Sequence, residues 1–170
     1  IVITASHNPP EYNGYKVYGA DGCQIGPAMA DVILDEIGKT DIFDGVKLVD
    51  YDEAVKNGKI VLVNDEVFAA FLNEVKKESL LSDDVRNGDK LKIVYTPLNG
   101  AGRRSVTTVL ATESCYDVTV VKEQEMPDGN FPTCPYPNPE NPEALTLALD
   151  LCEKTDADIM VAADPDCDRC

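Results

Sequence analysis

The sequence predicts an α/β fold with a mixed, largely parallel sheet flanked by helices. From Leu91 onward, apolar β-like runs alternate with segments of helical periodicity in the order strand, helix, strand, loop, helix, strand. This alternation is typical of parallel sheets whose strands are joined through helices. Composition supports a folded chain, because 44% of the 170 residues are hydrophobic and 27% are charged, enough to bury a core.

The N-terminal part is predicted to hold short elements around a polar loop. In chain order these are a short buried strand at 1–3, a loop at 4–14, a β-like run at 15–18, a turn at 19–22, a helix from Pro27 to Gly38, an irregular charged stretch at 39–58 and a strand or extended linker at 60–63. Two prolines and an Asn-Gly pair exclude regular structure from the loop. Proline suits the first turn of the helix, and glycine suits its end.

A second unit is predicted to begin at Asn64, which divides the chain into 1–63 and 64–170. Its elements are a helix capped by Asn64, a polar link at 82–90, a strand at 91–95, a turn at 96–102 leading into a helix, a strand at 118–121, a proline-rich loop at 125–142, a helix after Asn141 and a buried strand at 159–162. Asparagine is a favoured N-cap residue, and loops at the carboxyl ends of such strands usually bind the ligand.

The charge balance excludes several classes of partner. Acidic residues outnumber basic ones 31 to 15, which gives a formal net charge of −16. A nucleic-acid binder needs a basic surface, and so does a protein that docks on anionic membranes. The sequence has no apolar run close to the ~20 residues that a transmembrane helix requires. The chain opens directly on the apolar residues 1–3 without an initiator Met, so we expect it to be part of a longer one.

Six cysteines are irregularly spaced and predict reduced thiols in a cytoplasmic protein. Small secreted proteins use regular cysteine frameworks, and no signal peptide precedes this chain. Cys167 and Cys170 form a C-x-x-C, but no second pair completes a zinc site. Two unrelated thiols in a loop are therefore favoured over a redox motif.

A loop near the N-terminus carries a candidate nucleophile. Residues 4–16 contain Ser6 beside His7, the only His in the chain, and Lys16 follows on the next β-like run. A hydroxyl beside an imidazole suggests an activated nucleophile, although we expect adjacent side chains to diverge rather than pair. The prolines keep the loop out of helix and sheet and so expose Ser6, and Lys16 is placed to neutralise a charge on Ser6. An ordinary surface turn is the alternative interpretation of the same residues.

A second loop carries candidate metal ligands. Asp164, Asp166 and Asp168 alternate directly after the predicted strand at 159–162. Converging carboxylates are costly unless a cation neutralises them, and hard oxygen ligands suit Mg²⁺ or Ca²⁺. An EF-hand is disfavoured because its sixth position requires Gly, where this loop has Arg169. Arg169 suggests a group that binds phosphate beside the metal. A solvated acidic turn is the alternative.

Together the two loops point to phosphoryl transfer, which needs a hydroxyl, a metal and cations around a phosphate. Other phosphate-binding machinery is missing from the sequence, which has neither a G-x-x-x-x-G-K motif nor a G-x-G-x-x-G motif after a strand.

The residues of both loops resemble one enzyme family. Thr4-Ala5-Ser6-His7-Asn8-Pro9, followed by Asn13-Gly14-Tyr15-Lys16-Val17-Tyr18, resembles the active-site serine loop of the α-D-phosphohexomutases, which are the phosphoglucomutases and phosphomannomutases. Asp164-Pro165-Asp166-Cys167-Asp168-Arg169 is similar to that family's metal loop, usually Asp-Gly-Asp-x-Asp-Arg, and Pro165 is expected to stiffen it. Leu91 to Gly102 resembles the opening of the family's second domain.

The resemblance covers essentially the whole chain and implies a truncated protein of phosphoglucomutase domain type. Residues 1–63 would be the C-terminal part of domain 1 with the serine loop, and residues 64–170 would be most of domain 2. Ser6 would carry the phosphoryl group. The metal ligands would be a phosphoserine oxygen of Ser6 and the carboxylates of Asp164, Asp166 and Asp168, with Mg²⁺ as the cofactor.

The resemblance also implies roles for three charged or titratable neighbours. Arg169 would contact the phosphoserine or the transferring group, and His7 and Lys16 would act beside it as acid/base or charge-stabilising groups. The enzyme would be an intramolecular phosphotransferase that interconverts glucose or mannose 1-phosphate and 6-phosphate through a hexose bisphosphate. The family's sugar-reading and phosphate-gripping loops are missing, so we expect the fragment alone to be inactive.

Three alternatives stay open at this point. The first is a phosphopentomutase of the same family. The second is a metal-dependent phosphatase that releases inorganic phosphate. The third is a non-catalytic α/β binding module that binds no Mg²⁺ and carries no phosphate on Ser6.

Overall fold

The structure of the protein, a computed structural model, describes residues Ile1–Cys170. Its strands are β1 (Val2–Ile3), β2 (Tyr15–Lys16), β3 (Leu91–Thr96), β4 (Tyr116–Val120) and β5 (Ile159–Ala162). Its helices are α1 (Pro27–Lys39), α2 (Tyr51–Lys56), α3 (Asp65–Lys77), α4 (Asp83–Arg86), α5 (Gly102–Ala111), α6 (Lys122–Glu125) and α7 (Pro142–Thr155). No helix combines the length and the apolar character needed to cross a membrane.

The chain forms two compact units. The N-terminal unit contains residues Ile1–Val2 and Lys16–Phe71, and the larger unit contains residues Ile3–Tyr15 and Leu72–Cys170. The serine loop, residues 4–14, therefore belongs to the larger unit although it lies at the start of the chain.

A parallel three-stranded sheet of order β4-β3-β5 is the centre of the larger unit. On the central strand, Ile93 lies opposite Val118 of β4 and Ile159 of β5. The predicted α/β class and the parallel pairing are confirmed. Because β4 and β5 flank β3 on opposite sides, the strand order reverses at β3, and ligands of open α/β sheets bind at such a reversal.

The core of this unit forms between the sheet and α7. Val94, Val121 and Ala148 are almost completely buried, and the side chains packed against them include Leu151 and Met160. Burial of such apolar side chains is the main force that holds α7 on the sheet. A second small core joins Leu98, Cys134 and Ala144, and it anchors the proline-rich loop.

In the N-terminal unit, α1 lies where the sequence predicts it, but none of its residues is buried. The prediction that residues 1–3 form a buried strand is wrong, because Val2 is 44% and Ile3 68% exposed. Strand β1 pairs only with β2, in a sheet of two strands. So small a sheet offers no second layer that would cover these side chains.

The sequence prediction missed three short helices, α2, α4 and α6, and a capping side chain marks the first two of them. In the stretch 39–58, α2 is capped by Asp50, whose carboxylate accepts the Glu53 N–H at 2.9 Å. In the predicted link 82–90, α4 is capped by Ser82, which accepts the Val85 N–H at 3.4 Å. Both helices are too short to show an apolar period, and their only sequence signal is the cap residue.

The remaining boundaries agree closely with the prediction. Asn64 caps α3 as predicted and accepts the Val67 N–H at 3.2 Å. Strand β4 begins at Tyr116 rather than at residue 118, because its pairing with β3 extends to Leu91 opposite Tyr116. Residues 60–63, predicted as a strand or an extended linker, carry no strand.

Candidate active site

The serine loop (residues 4–14) and the aspartate loop (residues 163–169) meet within the larger unit. Ser6 Oγ donates to Asp164 Oδ2 at 3.3 Å. Thr4 Oγ1 donates to Asp166 Oδ2 at 3.0 Å. The structure therefore brings the predicted nucleophile onto the predicted metal ligands across 158 residues of chain.

Ser6 occupies a strained backbone conformation. Its φ of 53° lies in the left-handed region, which costs a residue with a side chain roughly 1–2 kcal/mol. The Ser6 N–H is held by Thr4 Oγ1 at 2.8 Å, and the Asn8 N–H donates to the Ala5 carbonyl at 3.0 Å. Strain of this kind clusters at functional sites, where the surrounding structure enforces it. No sequence signal marks it, because serine does not favour this conformation.

His7 lies directly beside the hydroxyl. Its Nδ1 is 3.3 Å from Ser6 Oγ. The expectation that these adjacent side chains diverge is wrong, because the left-handed backbone at Ser6 brings its hydroxyl back over the following residue. When Nδ1 is unprotonated it can accept the hydroxyl proton, so the site has a base within hydrogen-bond reach.

The aspartate loop folds around Asp164. Its side chain is completely buried, and its Oδ1 accepts the backbone N–H groups of Asp168 and Arg169, each at 3.1 Å. The Asp164 backbone also receives the Cys167 N–H at 2.9 Å and donates to the Arg169 carbonyl at 3.2 Å. Asp164 Oδ1 is therefore fixed by the loop itself, while Oδ2 faces Ser6.

The three carboxylates form a cluster that fits a divalent cation. The ligand oxygens of Asp164, Asp166 and Asp168 lie within 4.8 Å of one another. Burial raises the pKa of Asp164, and the charges of Asp166 and Asp168 raise it further, although the N–H of Arg169 opposes them. A cation would relieve this repulsion, and carboxylate oxygens are hard ligands of the kind that Mg²⁺ and Ca²⁺ bind.

Two cations, Arg169 and Lys16, are predicted to act at a phosphate in this site. Arg169 joins the aspartate loop through its backbone, but its side-chain Nη1 lies 3.8 Å from Glu140 Oε1 in the proline-rich loop. Lys16 is the last residue of β2 and belongs to the N-terminal unit. Their predicted roles at a phosphate stay predictions.

The turn after β3 supports the aspartate loop from the neighbouring strand end. The Ala101 N–H donates to the Pro165 carbonyl at 2.8 Å. A side chain at Gly102 would collide with Cys167, since its Cβ would lie 2.7 Å from the Cys167 Sγ. The sequence predicts a turn here, but nothing in the sequence indicates that it contacts a loop more than 60 residues away.

Family models match most of the chain. The model described as phosphoglucomutase/phosphomannomutase, alpha/beta/alpha domain II, matches residues 69–170. The model described as phosphoglucomutase/phosphomannomutase, alpha/beta/alpha domain I, matches residues 1–42. These ranges contain the aspartate loop and the serine loop respectively.

Curated relatives align over nearly the whole chain. It is 38% identical to a phosphoribomutase of Saccharomyces cerevisiae over 99% of this chain and 29% of that protein. It is 38% identical to a phosphoglucomutase of Staphylococcus saprophyticus over 99% of this chain and 30% of that protein. A human phosphopentomutase is 34% identical over 99% of this chain and 28% of its own length. The chain thus spans less than a third of these relatives.

A solved structure shares the fold. The crystal structure of a phosphoglucomutase/phosphomannomutase family protein from Burkholderia thailandensis matches 96% of this chain and 31% of its own, with a TM-score of 0.54 and 23% sequence identity. At that identity the likeness concerns the fold alone. The family models carry the assignment, since the domain II model alone matches more than half of the residues. The chain belongs to the phosphoglucomutase/phosphomannomutase family.

Proposed function

We propose that this chain supplies the phosphoserine loop and the metal loop of a sugar-phosphate phosphomutase. The observation that carries the proposal is the contact of Ser6 Oγ with Asp164 Oδ2 at 3.3 Å. This contact places the hydroxyl of Ser6, a residue with a strained backbone, beside a cluster of three carboxylates that fits a divalent cation. A hydroxyl beside a site for a divalent cation is an arrangement that phosphoryl transfer uses.

The proposed reaction consists of two transfers through Ser6. A hydroxyl of the sugar monophosphate attacks the phosphoserine phosphorus, the bond from phosphorus to Ser6 Oγ breaks, and the sugar leaves the site as a bisphosphate intermediate that reorients. Ser6 Oγ then attacks the phosphorus of the other phosphate, the bond from that phosphorus to the sugar oxygen breaks, and the sugar is released as the isomeric monophosphate while Ser6 carries the phosphoryl group again. In each transfer His7, 3.3 Å from Ser6 Oγ, takes the proton of the attacking hydroxyl and returns it to the oxygen that leaves phosphorus.

Asp164, Asp166 and Asp168 would hold Mg²⁺, together with an oxygen of the phosphoserine. When bound, Mg²⁺ offsets the negative charge of the phosphoryl group and polarises its oxygens. This solves an electrostatic problem, because the chain has a formal net charge of −16 and its substrate is an anion. Local cations, not the overall charge, make the site accept a phosphate.

Arg169 and Lys16 are proposed as further positive charges at the phosphate. The Arg169 side chain is 45% exposed, and its contact with Glu140 is long at 3.8 Å. An exposed ion pair of this length contributes little free energy. It can therefore exchange for a bidentate contact with a phosphate, which is stronger.

The domain organisation we propose is the end of domain 1 at 1–63 and most of domain 2 at 64–170. Because the relatives are about three times as long as this chain, we propose that sugar recognition lies in the rest of such a protein. The isolated chain would then be inactive, since water is not excluded from its site. Six free cysteines support a reducing, cytoplasmic location.

The proposed substrate class is a glucose or mannose 1-phosphate or 6-phosphate, with the hexose bisphosphate as the intermediate. A pentose phosphate is the second candidate. It is favoured by the names of two relatives, the yeast phosphoribomutase and the human phosphopentomutase. Both candidates use the same phosphoserine chemistry.

The test is intact-mass analysis of the whole protein after incubation with Mg²⁺ and a hexose 1,6-bisphosphate or a pentose 1,5-bisphosphate. We expect a gain of ~80 Da, the mass of one phosphoryl group, that is absent from Ser6→Ala. Release of inorganic phosphate without an isomerised sugar phosphate would instead indicate a phosphatase. No mass gain with either bisphosphate would indicate a non-catalytic module and contradict the proposal.

A further inference from the structure

We propose that Thr4 is a positioning residue that locks the serine loop to the aspartate loop and so sets Ser6 at its distance from the metal ligands. The inference rests on the proposed function, since it assigns a task within that site. Thr4 makes contact with Asp166 and with the backbone of Ser6 at once. Both contacts use the single Thr4 hydroxyl.

The hydrogen bonds of the Thr4 hydroxyl have a fixed direction. The Ser6 N–H is only a donor, so Thr4 Oγ1 must accept from it, at 2.8 Å. The same oxygen donates its proton to Asp166 Oδ2, at 3.0 Å. A hydroxyl has one proton and two lone pairs, and this geometry gives the proton a single favoured orientation. The half-buried position makes both bonds stronger than at a free surface.

The backbone of Thr4 is fixed independently of its side chain. The Thr4 N–H donates to the Gly14 carbonyl at 3.1 Å, across the base of the serine loop. Even a Cβ at Gly14 would approach the Thr4 carbonyl to 3.2 Å. The hydroxyl is therefore presented by an anchored residue, and it can act as a rigid link between the two loops.

A purely local role would account for only one of the two bonds. Threonine hydroxyls often accept an N–H two residues ahead and stabilise a turn. The bond to Asp166 spans 162 residues and adds nothing to a local turn. It orients a proposed metal ligand, and the partners that orient ligands typically change metal affinity 10–100-fold when they are removed.

The test compares two variants of Thr4 by their affinity for Mn²⁺, a probe ion measured by electron paramagnetic resonance on this chain. Thr4→Val keeps the shape but removes the hydroxyl, and we expect its affinity to fall by about 10-fold. Thr4→Ser restores the hydroxyl, and we expect affinity within about 2-fold of wild type. Thr108→Val is the matched control, because the Thr108 hydroxyl bonds only within its helix, to the Arg104 carbonyl at 2.6 Å.

A second readout follows the reaction of the whole protein. We expect Thr4→Val to raise the Mg²⁺ concentration for half-maximal phosphorylation of Ser6 and to lower its rate, with Thr4→Ser close to wild type. A merely structural role would lower the unfolding midpoint of Thr4→Val without a change in Mn²⁺ affinity of the folded chain. If Thr4→Val does not fold, Thr4→Cys replaces it, since a thiol fills the position but bonds weakly.

The outcomes separate this inference from the proposed function. Wild-type chain that binds no Mn²⁺, together with whole protein that gains no phosphoryl group, overturns the proposed function. Wild type that binds Mn²⁺ while Thr4→Val, or Thr4→Cys in its place, binds equally well overturns the role of Thr4 alone. A loss in Thr4→Ser as large as that in Thr4→Val would also overturn it.

Discussion

Gly100 lies directly against Pro165 of the aspartate loop. A Cβ built on Gly100 would be 2.3 Å from the Pro165 Cα and 2.6 Å from its carbonyl oxygen. Real Cβ atoms do not approach backbone so closely, and backbone atoms cannot move aside as a flexible side chain can. The turn after β3 and the loop after β5 therefore fit together only because residue 100 has no side chain.

Gly100→Ala is expected to displace the aspartate loop. The clash involves the backbone of Pro165, which leads from Asp164 to Asp166, so the carboxylates cannot keep their positions. We expect the variant to lose about 1–3 kcal/mol of unfolding free energy, the range typical of overpacked sites, and to bind Mn²⁺ at least about 10-fold more weakly. Urea unfolding and Mn²⁺ titration measure the two effects.

Gly129→Ala is the matched control, because a Cβ at Gly129 meets no atom within 4 Å. Its unfolding free energy should stay within about 0.5 kcal/mol of wild type, with unchanged Mn²⁺ affinity. A Gly100→Ala variant that behaves like Gly129→Ala would show that the two loops are not in contact.

The fold of the larger unit could be predicted from its sequence because its signals are local and periodic. The apolar run at 91–95 and the helical face after Asn141 each define an element without reference to distant residues. Such signals do not predict the one-turn helix α4, which has a cap residue but is too short to show an apolar periodicity. It also fails for residues 1–3, where apolar sequence predicts burial but no second layer covers the strand.

The chemistry of the site could be predicted further than its geometry. Residue types and spacing single out Ser6 and the three alternating aspartates as candidates. The contacts that hold them join distant parts of the chain, as Thr4 joins Asp166 over 162 residues. The sequence does not indicate which residue a turn glycine such as Gly100 will contact, since that contact depends on which strands pair in the sheet. Tertiary structure alone reveals these supporting residues.

Asp164→Asn is expected to stabilise the chain in the absence of Mg²⁺ while abolishing metal binding. The amide keeps an oxygen for the N–H groups of Asp168 and Arg169 but removes a buried charge that faces two other carboxylates. We expect a gain of at least about 1 kcal/mol in unfolding free energy at neutral pH, since like charges about 4 Å apart repel by about that much even in bulk water. Thermal unfolding with and without Mg²⁺ measures it.

The pH dependence of this gain has a definite sign. Burial and the neighbouring charges raise the pKa of Asp164 in the folded chain, so the folded state binds its proton more tightly than the unfolded state does. The contribution of Asp164 to stability is therefore present below its unfolded pKa and is lost as pH rises through its folded pKa. The advantage of Asp164→Asn should grow with pH over that window and vanish below it.

Asp117→Asn serves as the control for Asp164→Asn, because Asp117 is exposed on β4. It should show no comparable gain. Mg²⁺ should raise the unfolding temperature of wild type and of Asp117→Asn but not that of Asp164→Asn, since only a bound ion stabilises the folded state. Equal stabilisation of all three proteins by Mg²⁺ would exclude Asp164 as a ligand.

Thr96→Val is expected to destabilise the larger unit more than its small chemical change suggests. The Thr96 hydroxyl is completely buried, donates to Gln124 Oε1 at 2.7 Å and accepts the Leu98 N–H at 3.1 Å. In Thr96→Val both partners stay buried but have no hydroxyl to bond to, which costs about 1–3 kcal/mol of unfolding free energy for each unsatisfied group. Urea unfolding should show a loss of roughly 2–4 kcal/mol, and Thr96→Ser should recover most of it.

Thr112→Val is the comparison for Thr96→Val, since the Thr112 hydroxyl bonds to the Val109 carbonyl at an exposed position. Its loss should stay below about 1 kcal/mol. Equal losses of unfolding free energy in Thr96→Val and Thr112→Val would contradict the buried hydrogen bonds of the Thr96 hydroxyl.

The strain at Ser6 is tested by comparing Ser6→Gly with Ser6→Ala. Both variants lack the hydroxyl, so both lose the bond to Asp164, and they differ only in the freedom of the backbone. At a φ of 53° glycine is unstrained while alanine is not, so Ser6→Gly should be more stable by about 1 kcal/mol. At Ser105, inside α5, Ser105→Ala should be the more stable variant, because glycine in a helix interior is about 1 kcal/mol less favourable than alanine. Urea unfolding of the four variants measures both differences. If Ser6→Ala also proves more stable than Ser6→Gly, Ser6 is not held in the left-handed conformation.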